Sequence, residues 1–300
     1  MRSFLHKQGE LLFKKQYYAL FLIVAFAFLP LTGWLALTLV GLMTLRCGAR
    51  EGLIFMFAGI AASALASNMV SAQMTDVLPM LVISTVSVYA LSCLQRFFAS
   101  WAVTGMIALF TALGAVVIIH TWIPEYISAQ LRELITIFSQ IPQADGLVDV
   151  LNSAVNTSDS FLPNYLLGVK VFAETMSVFS ALITARFIQS LLFYPEGFKK
   201  ELLAFRANKL IVLLMVICLT GVYANNGLAF SCLPILVSYL SIAGICLCVN
   251  LLAKRKGVLI TLMLGLPLVF APSVMLPVYV IFGSLDSLFN FRLRLPAKAA

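Results

Sequence analysis

Uncharged apolar runs alternate with short charged segments along almost the whole chain. A helix that crosses the hydrocarbon core of a membrane needs roughly 20 residues at a rise of 1.5 Å per residue. The runs do not alternate apolar and polar residues, as the strands of a membrane β-barrel would. The pattern therefore predicts an all-α protein, a polytopic transmembrane helical bundle with about eight apolar spans. The predicted spans are residues 17–45, 52–67, 77–94, 97–123, 166–193, 210–224, 228–253 and 257–285.

The first and last runs are interrupted by proline, which removes a backbone donor and kinks or ends a helix. The interrupting residues are Pro30 in the first run and Pro267, Pro272 and Pro277 in the last. Each run either crosses once or forms a proline-broken hairpin or re-entrant pair. We favour the second arrangement, because both basic termini then lie in the cytoplasm and every basic cluster obeys the positive-inside rule.

Composition supports a membrane protein and excludes a soluble domain. Hydrophobic residues make up 62% of the 300 residues and charged residues 11%, whereas a soluble domain carries about 25% charged residues. The net charge of +8 is spread over short basic clusters between apolar runs. Such clusters are typical of the cytoplasmic ends of membrane helices beside anionic lipid. We therefore expect the lipid bilayer, and no nucleic acid, as the partner of these charges.

We treat residues 1–300 as a single integral membrane domain with two distinctive loops. The 124–165 loop is acidic and is therefore placed outside. Apolar residues recur in it at helical spacing, at Ile127, Leu131, Leu134, Phe138 and Ile141. This spacing predicts amphipathic helices that lie on the outer membrane surface, or else a lid over a cavity that opens outward. The basic 194–209 loop is predicted to turn at its start and continue as a cytoplasmic surface helix or a partner-docking segment.

Three charged residues lie within a predicted span, and all belong to the run 166–193: Lys170, Glu174 and Arg186. A charge in hydrocarbon costs at least a few kcal/mol, so such residues usually face a bundle interior or a wet cavity. Lys170 and Glu174 are four residues apart on one helical face, which allows a structural ion pair. The alternative is a ligand or proton site, to which Asn68 and Gln73 beyond the outer end of the span 52–67 would contribute.

Small residues form a ridge on the span 52–67, with Ala58, Ala62 and Ala66 four residues apart. Such ridges let two membrane helices approach closely. Internal packing is the interpretation that we favour, and an interface with a partner is the alternative.

No sequence motif indicates an enzyme. The chain lacks a glycine-rich phosphate loop, an HExxH pair and a GxSxG elbow, and its two histidines are far apart in the sequence. The six cysteines lie in or beside apolar runs, where buried free thiols are expected. We therefore expect no catalytic activity, no cofactor and no metal site.

Three segments resemble motifs of a known family. Residues 44–52 resemble its "TLR-x-G-x-x-EG" turn, residues 185–206 its "AR-x-x-Q…P-x-GF…LR" segment, and residues 283–292 its closing "G-x-x-D-x-x-x-dfR". They occur in the family's order, with mild departures at Ser284 and Asn290. On these motifs the chain resembles the YybS-like family of uncharacterised bacterial polytopic membrane proteins.

That family is remotely similar to the substrate-binding S components of energy-coupling-factor transporters. The similarity implies a bacterial inner-membrane bundle that captures a small molecule from outside and passes it inward with a coupling subunit and paired ATPases. It also implies that a small-residue ridge, here Ala58, Ala62 and Ala66, docks on the coupling subunit. The family itself has no agreed activity.

The motifs draw attention to Arg186, Gln189, Asp286 and Arg292. An acid and a base six residues apart, Asp286 and Arg292, are suited to holding the C-terminal element in place, and we also expect Arg186 to meet Asp286. Two functions remain open at this point. One is a transport-like protein that binds a small solute or lipid in a cavity between helices, and the other is a non-enzymatic scaffold that recruits envelope or cytoplasmic partners. The sequence leaves the oligomeric state undetermined.

Overall fold

The computed structural model describes residues 16–29, 32–70, 77–141, 146, 148–149, 151–152, 161–193, 197–253 and 270–294. Every regular element within these ranges is helical, so the all-α class is confirmed. The helices are α1 Gln16–Phe28, α2 Gly33–Cys47, α3 Ala49–Val70, α4 Val77–Phe98, α5 Trp101–Trp122, α6 Glu125–Phe138, α7 Phe161–Phe193, α8 Gly197–Leu203, α9 Lys209–Tyr223, α10 Gly227–Ala253, α11 Pro272–Phe289 and α12 Phe291–Arg294.

Six of the described helices are long and apolar enough to cross a membrane: α3, α4, α5, α7, α10 and α11. Three shorter apolar helices, α1, α2 and α9, occupy parts of the other predicted runs. The fold is therefore that of a multi-pass helical membrane protein, while the predicted count of about eight spans is not reached in the described ranges. Helix α7 has 33 residues and is about 50 Å long, which exceeds the roughly 30 Å hydrocarbon core.

The first predicted span is divided into two helices, α1 and α2. They have 13 and 15 residues, so each is only about 20 Å long. The Thr32 hydroxyl lies 2.8 Å from the Phe26 carbonyl oxygen and 3.0 Å from that of Leu29, which stabilises the end of α1. The two helices pack against each other and against α3. The run is thus interrupted where the sequence predicts it, and Pro30 itself lies outside the described residues.

Helix α11 represents the last predicted span in the structure, and Pro267 lies outside the described part. Pro272 occupies the start of α11, where its missing N–H has no helical partner and its fixed φ suits a first turn. Pro277 lies inside the helix without ending it. The predicted break at Pro277 is therefore wrong, because a proline near the start of a helix removes only one hydrogen bond to the preceding turn.

The chain divides into two compact units. The first unit contains residues 1–104 and 174–202, and the second contains residues 105–173 and 203–300. In the first unit, Gly41 of α2 faces Val88 and Ser92 of α4 and Ala185 of α7, and a Cβ at Gly41 would lie 3.2 Å from the Val88 side chain. Three helices therefore meet at this glycine.

In the second unit, helices α10 and α11 pack at backbone distance. A Cβ at Gly244 would overlap the Tyr279 carbonyl group, and a Cβ at Gly283 would overlap that of Leu240. Helix α9 packs on both α10 and α11. Glycine at these two positions permits the close approach that membrane helices use in place of a hydrophobic driving force.

The two loops singled out in the sequence contain short helices. Helix α6 covers the first amphipathic stretch of residues 124–165, and the second stretch is only partly described. In the 194–209 loop, α8 ends at Leu203. Phe205 and Ala207 beyond it are buried, and the Asn208 side chain accepts a hydrogen bond from the Leu210 amide at the start of α9. The helix predicted in this loop is therefore present at 197–203 only, because buried side chains hold the stretch before α9 in a non-helical conformation.

Candidate functional site

Glu174 is an acidic residue within the membrane-length helix α7, and its carboxylate is hydrogen-bonded to a neighbouring helix. The Ser84 hydroxyl of α4 donates to Oε1 of Glu174, and the same hydroxyl lies 2.8 Å from the Met80 carbonyl oxygen. Ser84 is buried, and Glu174 is half-buried. Ser84 is seven residues from the start of α4, so this contact lies about 10 Å along the helix.

Helix α4 presents further buried polar side chains to the same unit. Ser92 and Gln95 are almost fully buried, and Gln95 Oε1 accepts a 2.7 Å hydrogen bond from the Thr104 hydroxyl. The Ser92 hydroxyl, the Gln95 amide nitrogen and the Trp101 indole nitrogen have no hydrogen-bond partner among the described residues. Three buried donors thus gather around the connection between α4 and α5, and each is suited to an acceptor such as a water oxygen.

Lys170 belongs to the second unit and contacts the amphipathic helix α6. Its ammonium nitrogen lies 5.1 Å from the ring centroid of Tyr126, within the range of a cation–π interaction. The ion pair expected between Lys170 and Glu174 is replaced, among the described contacts, by Tyr126 for the base and Ser84 for the acid. Spacing on one helix allowed the pair, but neighbouring helices supply the partners.

Gln130 lies on the same face of α6 as Tyr126, one helical turn later. Its side chain is 6% exposed, and its amide nitrogen has no hydrogen-bond partner in the described part of the chain. A buried donor without a partner is costly in a membrane protein. The Lys170 ammonium and the Gln130 amide are both donors, so this end of the second unit is suited to a ligand that brings acceptor oxygens.

A second polar cluster in this unit joins three helices and was not foreseen from the sequence. The His120 Nε2 atom lies 3.0 Å from the Ser231 hydroxyl oxygen, which in turn donates to the Asn164 carbonyl at 2.7 Å. When the serine proton points to Asn164, the serine oxygen accepts from His120, which then carries its proton on Nε2. His120 and Ser231 lie in separate apolar runs and Asn164 in the 124–165 loop, so no spacing within one run predicts their contact.

Arg186 forms a bidentate ion pair in the first unit. Its Nη2 and Nε atoms lie 2.5 Å and 3.1 Å from the two carboxylate oxygens of Glu201. Its Nη1 atom donates to Gln189 Oε1 at 2.6 Å. Two parallel bonds of this kind fix the guanidinium plane and are stronger than neutral hydrogen bonds. Arg186 and Gln189, which belong to one motif, are therefore in contact, and Glu201 takes the role expected of Asp286.

Asp286 and Arg292 are in contact in the second unit. Asp286 is 1% exposed, and its Oδ2 atom lies 3.0 Å from Arg292 Nε. The remaining guanidinium nitrogens of Arg292 donate to the carbonyl oxygens of Leu203 and Phe205. The ion pair expected from the six-residue spacing is thus present. The other carboxylate oxygen of Asp286 has no hydrogen-bond partner in the described ranges.

Arg206 connects the same two segments in the opposite direction, from the loop before α9 to the end of α11. Its Nε and Nη2 atoms donate to the carbonyl oxygens of Asp286 and Ser287 at 3.0 Å and 2.9 Å. One arginine from the end of the chain therefore binds the 203–205 backbone, while one arginine from that loop binds the end of α11. We call this pair of contacts, made by Arg206 and Arg292, the arginine clamp.

The first motif forms a tight turn between α2 and α3. Gly48 has a φ of +106°, which favours glycine. The Arg96 Nη1 atom donates to the carbonyl oxygens of Arg46 and Leu45 at 2.8 Å and 3.2 Å. A Cβ at Gly52 would lie 2.6 Å from the Thr44 hydroxyl oxygen. The glycines and the threonine of this motif thus have packing roles.

The remaining candidate residues lie on or after α3. Ala62 is buried, and Ala58 and Ala66 are half-buried. Next to this ridge, Gly59 faces Ile23, Val40 and Thr85 of the same unit, so this side of α3 packs inside the protein. Gln73 lies outside the described residues, and the side chain of Asn68 is not among those described.

Comparison with known proteins gives no relative. No family model matches the chain, and no match was found among curated proteins or solved structures. Within the described ranges, no group of three or more His, Cys, Asp or Glu residues is arranged to hold a metal ion. Functional inference therefore depends on the contacts given above.

Proposed function

We propose that this chain is a bacterial inner-membrane protein of transport-like function, which binds a small solute between its helices. The observation that carries the proposal is the environment of Lys170. Its ammonium lies within a long apolar helix, is half-buried, and contacts the face of an aromatic ring. Charged residues in membrane helices are costly and mark substrate or ion pathways when they lack a structural counter-charge.

The chemistry around Lys170 supports a solute with acceptor oxygens. The ammonium offers up to three donors, and Gln130 on α6 adds a buried amide without a protein partner. Among the described contacts of Lys170 there is no carboxylate. A carboxylate or phosphate group on the solute would supply the missing negative charge. Helix α6 then acts as a cover held by Tyr126, in agreement with the lid interpretation of the 124–165 loop.

The alternative function is a membrane scaffold, and one observation favours it. The motif residues Arg186, Gln189, Asp286 and Arg292 all make contacts within the protein. Such contacts maintain a fold without needing a ligand. In this alternative, the resemblance to the YybS-like family reflects a shared architecture, and the 194–209 loop recruits a partner.

Purification of the full chain in mild detergent tests the proposal directly. Mass spectrometry of the retained small molecules should detect one compound in stoichiometric amount. Lys170→Met keeps the apolar stem but removes the charge, and should lose that compound. Lys209→Met removes an equal charge from an exposed position and should retain it.

Partners in the same preparation separate the two functions. Co-purifying paired ATPases would support capture coupled to transport. An envelope or cytoplasmic protein with no retained small molecule, and no effect of Lys170→Met on its recovery, would favour the scaffold instead.

A further inference from the structure

The contact between Glu174 and Ser84 has a feature that the proposed solute site does not use. The Ser84 hydroxyl has one proton and two acceptors within reach: Oε1 of Glu174 on α7 and the carbonyl oxygen of Met80 on its own helix. A hydroxyl donates to one acceptor at a time, and its oxygen also accepts. The arrangement therefore supports two hydrogen-bonding patterns with the same heavy-atom positions.

Each pattern matches one protonation state of the carboxyl group. When Glu174 is ionised, Ser84 donates to the carboxylate. When Glu174 is protonated, the acid donates its own O–H to the Ser84 oxygen, and the serine proton rotates to the Met80 carbonyl 2.8 Å away. Neither state leaves the shared contact unsatisfied, so the usual penalty for burying an unpaired polar group is avoided in both.

The described ion pairs and hydrogen bonds give Glu174 a serine partner and no basic one. Helices α2, α4 and α8 belong to the same unit, and the described contacts of Tyr89, Arg96 and Arg46 on them are with groups other than Glu174. The Tyr89 hydroxyl donates to the Ala49 carbonyl, and Arg96 donates to carbonyls at the end of α2. The sequences of these helices also contain Cys47, Cys93, Lys199 and Lys200, and Glu201 pairs with Arg186.

On its own helix, the nearest base is Lys170, one turn earlier, whose ammonium lies over the Tyr126 ring. None of the described ion pairs includes Glu174. A carboxylate within a membrane helix and without a paired base is costly, so the neutral acid is accessible to it. The half-buried side chain also allows exchange with its surroundings.

We propose that Glu174, Ser84 and the Met80 carbonyl form a proton-binding site within the membrane. Uptake places one H⁺ on the Glu174 carboxylate to give the neutral acid, and release returns the same H⁺ to water. The Ser84 hydroxyl rotates between its two acceptors as the proton arrives and leaves. No helix needs to move, and the site is independent of solute binding at Lys170.

Infrared difference spectroscopy of the full chain in lipid vesicles tests this site. Lowering the pH should produce a carbonyl band of a protonated carboxylic acid that shifts in deuterated water. Glu174→Gln has nearly the same shape as the protonated acid and should abolish that band. Circular dichroism at each pH verifies that the helices remain formed.

Ser84→Ala provides a second measurement that keeps the acid in place. The protonated acid donates its O–H to the Ser84 oxygen, so loss of the hydroxyl should shift the frequency of the acid's carbonyl band. Thr85→Val is the matched control, because Thr85 is also buried on α4 but its hydroxyl donates to Leu81 of its own helix. That variant should leave the carbonyl band unchanged.

Three results would overturn the proposal. The first is a pH-dependent spectrum that is the same in wild type and Glu174→Gln, since Glu174 would then keep one protonation state. The second is a carbonyl band of the same frequency in Ser84→Ala and Thr85→Val. The third is a midpoint that depends on sodium but not on potassium, which would identify a metal cation as the occupant. Loss of solute retention in Lys170→Met concerns the other site and leaves this result unaffected.

Discussion

Arg292 Nε lies 3.0 Å from Oδ2 of Asp286, across a turn in which Asn290 has a φ of +50°. The left-handed residue ends α11 and turns the chain back, so that a side chain six residues later reaches a carboxylate in the preceding helix. The pair is nearly closed to solvent on the aspartate side. Its contribution to stability can therefore be measured.

Replacing Arg292 should destabilise the protein more than replacing Asp286. Arg292→Ala leaves the Asp286 carboxylate buried without its base, and removal of one partner of a buried ion pair typically costs about 3–5 kcal/mol. Asp286→Ala leaves Arg292 bound to two carbonyl oxygens and should cost less. Thermal unfolding in detergent would measure both changes, and the double variant should be far from additive.

A matched control for this pair lies at Asn290. Asn290→Gly preserves the left-handed turn, since glycine adopts positive φ without strain, and should be close to neutral. Fully additive losses in the double variant of Asp286 and Arg292 would show that the two side chains do not stabilise each other.

Arg186 and Glu201 provide a second test of the motif residues. Arg186→Lys keeps the charge but loses the bidentate geometry and the bond to Gln189, and we expect a loss of about 1–3 kcal/mol. The exchange of Arg186 for Glu together with Glu201 for Arg should recover part of the stability lost by either reversal alone. Resistance of the 197–203 segment to limited proteolysis would report the contact locally. Equal proteolysis in all variants would argue against it.

The close approach of α10 and α11 predicts opposite effects for two glycine substitutions. Gly283→Ala would place a methyl group against the Leu240 carbonyl and should cost about 1–3 kcal/mol or more, because the backbones must separate. Gly114→Ala in α5 meets nothing within 4 Å and should stabilise the helix by about 0.5–1 kcal/mol. Similar unfolding temperatures for the two variants would contradict this packing.

Cysteine labelling can test the proposed arrangement in which both termini lie in the cytoplasm. Single cysteines at positions 8 and 298, in a chain whose native cysteines are replaced, should resist an impermeant thiol reagent added from outside intact cells. A cysteine at Glu133, exposed on α6, should react. Labelling of either terminal position from outside would reject the arrangement with both termini in the cytoplasm.

Several local features follow from sequence spacing alone. The recurrence of apolar residues every three or four positions predicts α6, and the structure has a helix at Glu125–Phe138. The six-residue separation of Asp286 and Arg292 predicts their contact, which the structure contains. In both cases the interacting residues are close in the chain, so the local backbone geometry limits which contacts they can form.

Contacts between distant segments could not be predicted in this way. Lys170 and Glu174 have the spacing of an ion pair, but Tyr126 and Ser84 approach from other helices. The partner of Arg186 depends on how α8 folds back, and a single sequence does not determine that direction. The same limit applies to His120 and Ser231, which are 111 residues apart.

The arginine clamp can form only late in the synthesis of the protein. Arg292 is made 87 residues after Phe205, whose carbonyl oxygen it binds. At roughly 5–20 residues per second, this is an interval of about 4–17 s. During that time the Phe205 carbonyl must bind water instead, because hydrocarbon offers no partner, whereas the Leu203 carbonyl also accepts a 3.1 Å hydrogen bond from Asn250. A ribosome that stalls within α11 therefore leaves this loop open, and the nascent chain then exposes a segment that quality-control proteases can cut.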